Sequence, residues 1–445
     1  MSPDLENGAA PLGSRDDQGK GWVRMPRFFG GIDYSEGLND VAVIDAAGTT
    51  VAHIRVEESP QGVKEILAVL RGLSASHRFS RRQVPLGIET RRGLLVAGLL
   101  ASGQPIVPLN PAMVARYRGR LNPARRKSDR TDATLLAQIL RTDGHHHRGM
   151  PADSDEVQAL NELVQAQYRA VRSQRYGANQ LRSLLRTYYP AAIEAWSELP
   201  GKLVRAEARA LLALAPTPRE ASRLSKRAIA DTLAAAGRTR LVDAQAARLG
   251  EVFARPWLRQ PPAVEEAMGQ AMLATLAQLN SACRAAEMTT VLAETAFRAH
   301  PQAPVYLSLP GCGPLIGARL LAAIGDDPER FETAKGLRCY AGAAPLTWAS
   351  GGSRAVTARR RAVNLKLKGT GHIWAFASLT RSPGCRAYYD RCRDRGDTYP
   401  TALRKLYGRL LNMLHHCLAH DVLYDEAVAF PAVGAAVTPR AGAAD

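Results

Sequence analysis

Hydrophobic residues follow two different rhythms along this 445-residue chain. From residue 28 to about 142 they gather in short runs: F-F-G-G-I-D, D-V-A-V-I-D, V-A-H-I-R-V, V-P-L-G-I-E and Q-P-I-V-P-L. Such runs, bounded by Gly, Pro and Asp, predict strands. Three- and four-residue spacing of apolar positions predicts helices over Val63–Leu73, Gly93–Ala101, Pro111–Arg118 and Ala133–Leu140. Beyond residue 150 the short runs give way to helical spacing. Val157, Leu160, Val164, Tyr168, Val171, Ala178, Leu181 and Leu185 mark one face of a long helix over 154–190. That stripe suits a coiled-coil arm or a plain core helix equally well. Helix rich in Ala, Leu and Arg continues to about 298.

The order three strands, helix, strand, helix, strand, helix is that of an RNase H-like domain. In that arrangement the first and fourth strands lie side by side at the sheet centre. The predicted fold class is therefore α/β followed by α. A disordered leader (1–25) precedes an RNase H-like domain (26–150), a helical, coiled-coil-like linker (151–300), a mainly helical C-terminal domain (301–430) and a disordered tail (431–445). Within the C-terminal part, L-S-L-P-G-C-G-P-L-I-G-A-R-L-L-A-A-I at 307–324 predicts a helix-hairpin-helix element. Gly311 and Gly313 permit a tight turn there. Its backbone N–H groups at a helix N-terminus can hold a phosphate, although such hairpins also serve as packing units.

Charge narrows the choice of partner. Lys plus Arg number 59 against 41 acids, a net charge of +18. The excess is concentrated in R-Y-R-G-R-L-N-P-A-R-R-K-S-D-R (116–130) and in Thr333–Tyr389, which holds ten Lys and Arg and no acid. Patches this one-sided face phosphate, because counterion release makes them the source of non-specific nucleic-acid affinity. Arg116, Arg118, Arg120, Arg125, Arg126, Lys127, Arg354, Arg359, Arg360 and Arg361 are the candidate nucleic-acid contacts. No apolar run approaches the roughly 20 residues a membrane span needs, and residues 1–25 hold no signal-peptide core. Six cysteines without C-x-x-C pairs fit a reducing cytoplasm rather than a zinc ribbon or disulfide framework.

Against this basic background four acids stand out. Asp33 ends the first predicted strand, Glu89 ends the fourth, and Asp129 and Asp132 share one face at the start of a helix. An Asp after a strand can be a turn residue, and D-x-x-D at a helix start can be capping. Their joint placement in the predicted sheet points instead to a carboxylate cluster for Mg²⁺. Mg²⁺ favours oxygen ligands and can clamp a scissile phosphate. Acids alone would make the chain a metal-dependent nuclease or junction resolvase using water. In the acid-free region, A-P-L-T-W-A-S-G-G-S-R places Ser350 before two glycines, where a hydroxyl can approach a phosphodiester, with no obvious base beside it. Asp40 and Asp45 read as turn residues and His145–His147 as solvated loop histidines.

The pattern G-I-D…E…K-S-D-R-T-D-A, L-P-G-C-G-P and Y-A-G-A-A-P-x-x-x-x-S-G resembles the DEDD-type insertion-sequence transposases, related to the Piv DNA invertases, over about residues 28–425. The resemblance implies an RNA-guided DNA recombinase in which Ser350 forms a covalent phosphoserine link to DNA. The Mg²⁺-bearing tetrad Asp33, Glu89, Asp129 and Asp132 would share that site. It further implies an RNA from the element's own ends that pairs with donor and target DNA. Ser128 stands where the pattern usually has Thr. Arg359–Gly369 keeps the basic character without all the usual residues, and Ser353 is a second candidate nucleophile. A phosphoserine conserves bond energy, and the chain carries no Walker A motif. Strand exchange between two duplexes calls for a dimer or tetramer. The rival from another class is a non-catalytic nucleic-acid-binding protein built on a decayed enzyme.

Overall fold

The computed structural model describes residues 27–77, 79–121, 129–349, 355–360 and 363–431, with the backbone alone for residues 120, 121, 129, 347–349 and 355–359. The expected leader and nearly all of the expected tail lie outside these residues. The chain forms two compact units, Met1–Pro151 and Ala152–Asp445.

The first unit holds β1 (Phe28–Asp33), β2 (Leu38–Asp45), β3 (Thr50–Glu57), α1 (Pro60–His77), β4 (Leu86–Ile88), α2 (Leu94–Ala101), β5 (Ile106–Pro108), α3 (Pro111–Leu121) and α4 (Asp129–Asp143). The sheet order is β3-β2-β1-β4-β5. Pairing is antiparallel across the first three strands and parallel for β1–β4 and β4–β5. This topology is compatible with an RNase H-like domain. Ile32, Val41, Val43, Leu86 and Ile88 pack with residues of α1 and α2 on one face. Phe29, Ile44, Val107 and Leu109 pack with α3 and α4 on the other. β1 is buried on both faces, which is why its sequence is a continuous apolar run.

Gly31 fixes how closely α4 approaches β1. A Cβ added there would lie 2.0 Å from the Ala133 carbonyl oxygen and 2.7 Å from the Ala137 nitrogen. Only glycine lets the first turns of α4 lie on the end of this strand.

The second unit opens with α5 (Asp155–Tyr188), whose N-cap Ser154 accepts from the Val157 N–H. Short helices follow: α6 (Pro190–Ala195), α7 (Ala206–Leu214), α8 (Pro218–Ala221), α9 (Lys226–Ala235) and α10 (Val242–Ala254). They bury one cluster against Leu181 and Leu185 of α5. Next comes α11 (Pro262–Ala299), which runs antiparallel to α5: Gln167 bonds Thr290, Gln174 bonds Cys283, and Gly177 faces Leu279. The long apolar stripe of α5 thus has a partner within its own chain. The remainder is α12 (Ala303–Ser308), α13 (Pro314–Ile324), α14 (Ala334–Tyr340), β6 (Pro345–Ala349), β7 (Ala355–Arg359), α15 (Leu365–Ser378), α16 (Pro383–Asp394), α17 (Tyr399–His420) and α18 (Glu426–Ala429). Val157, Leu160 and Val164 of α5 enter a second core with these helices. The antiparallel β6–β7 hairpin was not predicted from the sequence. Among the described residues no helix is long and apolar enough to cross a membrane.

Candidate active site

Strand register brings the first two acids together. Ile32 of β1 pairs with Ile88 of β4, so the next residues, Asp33 and Glu89, lie side by side at the carboxyl ends of the two central strands. Both are half-buried. Alternation along β1 sets the face: Gly31 lies under α4, Ile32 points to the opposite core, and Asp33 returns to the α4 side. Glu89 follows Gly87, which also faces α4, and Ile88, which does not.

Asp132 lies in the first turn of α4, the helix packed on this face of β1. It precedes Ala133, the residue pressed on Gly31, and is 5% exposed. Its Oδ1 accepts from the Arg118 Nε at 3.1 Å. A buried carboxylate without such compensation would be costly, and Arg118 supplies it for Asp132. Asp129 opens α4, but its side chain lies outside the described residues. Among the described residues no three His, Cys, Asp or Glu side chains converge closely enough to hold a metal. The donor chemistry is that of a hard divalent cation's ligands: Asp33 and Glu89 offer oxygen at the ends of two neighbouring strands, and Asp132 offers oxygen on the helix packed over that face.

Two supporting residues were missed from the sequence. Tyr34, next to Asp33, donates its hydroxyl to Glu58 Oε1 at 2.7 Å. The same oxygen accepts from the Leu94 and Leu95 N–H groups at 2.9 and 3.3 Å. Glu58 therefore caps α2 and ties down the segment that follows Glu89. The Tyr34 hydroxyl, and then the Leu95 amide, hold the Glu58 carboxyl below its ordinary range. That hydrogen bond also pushes the Tyr34 phenol up. Gly93 at φ +122° leaves room for the Tyr34 side chain, whose hydroxyl oxygen a Cβ would meet at 2.5 Å and whose ring at 2.8 Å.

Asp40 is a correction to the sequence reading. It is not a turn residue but sits within β2, directly opposite Asp33 and 2% exposed. Asp45 does close the β2–β3 turn, accepting from the Thr49 N–H at 2.8 Å. His145 and His146 are exposed, while burial pushes the His147 imidazole down.

In the second unit the turn joining α12 to α13 is partly committed to packing. Gly311 has φ +71°, and a Cβ there would lie 2.6 Å from the Ser378 nitrogen of α15. The Trp374 indole donates to the Pro310 carbonyl at 3.0 Å. Burial pushes the Cys312 thiol up to about 12. Gly313, by contrast, is exposed with open space around it. The Y-A-G-A-A-P segment leads into the hairpin. Tyr340 Oη accepts from Asn364 Nδ2 at 2.8 Å, Asn364 caps α15, and Gly342 turns the chain at φ +73°. Ser350 directly follows β6 in sequence and, with Ser353, lies outside the described residues, as do Arg125, Arg126, Lys127, Arg354 and Arg361. Arg116 is exposed, Arg360 is half-buried, and Arg120 and Arg359 are described by backbone only.

Comparison with known proteins gives this arrangement its context. Residues 30–190 match the DEDD transposase model of IS110 elements, described as a transposase. Residues 304–390 match the transposase IS116/IS110/IS902 family. The chain is 44% identical over 409 residues to the Streptomyces coelicolor mini-circle protein named as a transposase for IS117, covering 92% of this chain and 98% of that protein. It is 28% identical to the 43.6 kDa protein of insertion element IS110 from the same species, covering 71% and 76%. Identity to the 42 kDa protein of insertion element IS900 from Mycobacterium paratuberculosis is 27%, covering 89% and 97%. Two family models in chain order and a near-full-length relative lead to one conclusion: this chain belongs to the IS110 family of insertion-sequence transposases.

Proposed function

We propose that this transposase cuts and rejoins DNA through a phosphoserine intermediate, with Asp33, Glu89, Asp129 and Asp132 holding Mg²⁺ and Ser350 as the nucleophile. The observation that supports the metal assignment is the Ile32–Ile88 register, which sets Asp33 beside Glu89, together with the seat of α4, the helix that carries Asp129 and Asp132, on Gly31 of β1. Bound Mg²⁺ would neutralise charge gathering on the scissile phosphate. Arg118 holds Asp132 in place, and the Tyr34–Glu58 pair holds the segment after Glu89. Ser350 Oγ attacks phosphorus and forms a P–Oγ bond while one P–O bond to deoxyribose breaks. The serine gives up its proton and the departing oxygen gains one. One phosphoester replaces another, so rejoining needs no ATP.

In this reading residues 26–150 form the RuvC-like metal domain, 151–300 the helical linker and 301–430 the serine-bearing domain. The net charge of +18 and the absence of a sequence-reading motif support guidance by an element-encoded RNA that pairs with donor and target duplexes. A dimer or tetramer would hold the two duplexes, in the cytoplasm where the chromosome lies.

The test is covalent trapping. Full-length protein, Mg²⁺, RNA transcribed from the element's ends and junction-spanning DNA are incubated and resolved on a denaturing gel. The expected result is a protein–DNA adduct that disappears in Ser350→Ala and in Asp33→Asn. Cleaved DNA without an adduct would assign the attack to water, and an intact adduct in Ser350→Ala would move the nucleophile elsewhere.

A further inference from the structure

Asp40, Arg55 and His53 form an arrangement that the acidic tetrad does not use. On β2 and β3, Val41, Val43, Ala52, Ile54 and Val56 face the α1–α2 core. The residues alternating with them, Asp40, His53 and Arg55, therefore lie on the α4 face with Asp33 and Glu89. Register completes a transverse row: Arg55 pairs with Asp40, Asp40 with Asp33, and Asp33 neighbours Glu89. Arg55 Nε and Nη2 both contact Asp40 Oδ2, at 3.0 and 2.9 Å. His53 Nε2 lies 2.9 Å from Oδ1, close in distance though not aligned for a hydrogen bond.

The burial of this group is lopsided. The Asp40 side chain is 2% exposed, while that of Arg55 is 53% exposed. A buried ion pair is an inefficient way to hold two strands together, since apolar pairs of similar size do as well or better. What it does supply is orientation. Two contacts on one carboxylate oxygen hold a planar, permanently charged guanidinium at the rim of the sheet. That rim is two strand spacings, about 10 Å, from Asp33. A DNA strand entering a carboxylate cluster meets repulsion at every phosphate, and a fixed cation beside the cluster offsets it where the strand must come closest.

We propose that Arg55 contacts a DNA phosphate flanking the reacting one, and that buried Asp40 is the positioning residue that aims it. The proposal rests on reading Asp33, Glu89 and the α4 acids as the reaction site. The recognised chemistry is a DNA phosphodiester, not a base edge.

The test is equilibrium binding of full-length protein to junction-spanning duplex DNA across a salt series in EDTA, so that no bound metal contributes. Arg55→Gln should weaken binding about three- to tenfold and lower the slope of log K against log salt by about 0.9, the value for one lost phosphate contact. Arg55→Lys, which keeps the charge, should retain the slope. Asp40→Ala should reproduce most of the Arg55→Gln loss, and the double variant should add little, the non-additivity of residues acting as one unit. Asp40→Asn combined with Arg55→Gln keeps the pair's shape. It should melt close to the unaltered protein while binding as poorly as Arg55→Gln. An unchanged slope in Arg55→Gln, a binding loss that merely follows melting temperature, or a changed slope with the element's RNA but not with DNA would each overturn the proposal. Asp33→Asn in the trapping assay separates the two readings. If it still forms adduct, the acidic reaction site fails, whatever the slope for Arg55 shows.

Discussion

The sheet edge of the first unit and the hairpin segment of the second carry the two halves of the proposed chemistry, and they are built in opposite ways. At the sheet edge, each described acid has its place set by backbone hydrogen bonding or by helix–strand packing that tolerates no extra atom. The position of Asp33 is determined by strands on both sides, and Asp132 by a helix lying on glycine. The hairpin segment instead joins a helical body through Tyr340, Gly342 and Asn364, and among the described residues its two strands form a sheet of their own. Carboxylates that share one cation need fixed mutual positions. A nucleophile that must meet a bulky duplex needs access more than rigidity. The comparison predicts that small steric changes at the sheet edge cost stability, whereas changes around Ser350 cost chemistry and leave stability alone.

The largest effects test the chemistry of both regions at once. Asp33→Asn and Ser350→Ala should each lower the single-turnover rate of strand transfer by roughly 10³-fold or more, the several kcal/mol expected when a metal ligand or a nucleophile is removed. Ser353→Ala should keep the adduct. If Ser353→Ala abolishes it and Ser350→Ala does not, the nucleophile is Ser353. Both serine variants should melt with the unaltered protein.

Glycines sharpen the contrast at smaller magnitude. Gly31→Ala drives a Cβ onto backbone atoms of α4 at 2.0 and 2.7 Å, which no side-chain rotation relieves. It should destabilise the first unit by about 3 kcal/mol, read as a drop of several degrees in its calorimetric transition. Gly311→Ala should behave similarly in the second unit, being at φ +71° and 2.6 Å from the Ser378 nitrogen. Gly313→Ala, with nothing near its added Cβ, should change stability by no more than about 0.5 kcal/mol. A loss of DNA affinity in Gly313→Ala at unchanged stability would assign the turn to phosphate contact. Unchanged affinity would leave it a packing turn.

How far the sequence revealed these regions follows from whether the determining interactions are local. β1, β4 and the Val41–Ile44 stretch of β2 were legible because they are buried on both faces and so read as short apolar runs. Asp33 and Glu89 were legible as neighbours because that strand order is compatible with one pairing of β1 and β4. Asp40 looked like a turn residue because its partners, His53 and Arg55, come from the next strand, and cross-strand pairing leaves no mark in local composition. Arg118 read as one more cation of a basic stretch until α3 and α4 brought it to Asp132. The stripe on α5 could not name its partner, which lies about a hundred residues away in α11. The β6–β7 hairpin escaped because two short strands around S-G-G-S-R offer too little alternation to separate from loop.

The smallest expected effect concerns how the sheet edge is held rather than what it does. In the folded protein Glu58 is stabilised as the carboxylate by the Tyr34 hydroxyl and the Leu95 and Leu94 amides, so its folded pKa lies below its unfolded one. A depressed acid contributes stability above the unfolded value, near 4.3 for glutamate, and loses it as pH falls through the folded value. Tyr34, shifted upward by the same hydrogen bond, works in the opposite direction. Its contribution is whole below the unfolded phenol pKa, near 10, and fades as pH climbs through the folded value. Between these limits the pair is intact, and strand transfer should show no pH dependence arising from it. Glu58→Gln keeps an acceptor for the Leu94 and Leu95 amides but removes the charge that complements the start of α2. Its melting temperature should fall less steeply below about pH 4.3 than that of the unaltered protein. Parallel acid limbs in the two proteins would mean that other carboxylates govern the acid loss. The tie between Tyr34 and α2 would then hold the segment after Glu89 by hydrogen bonding alone, with no contribution from charge.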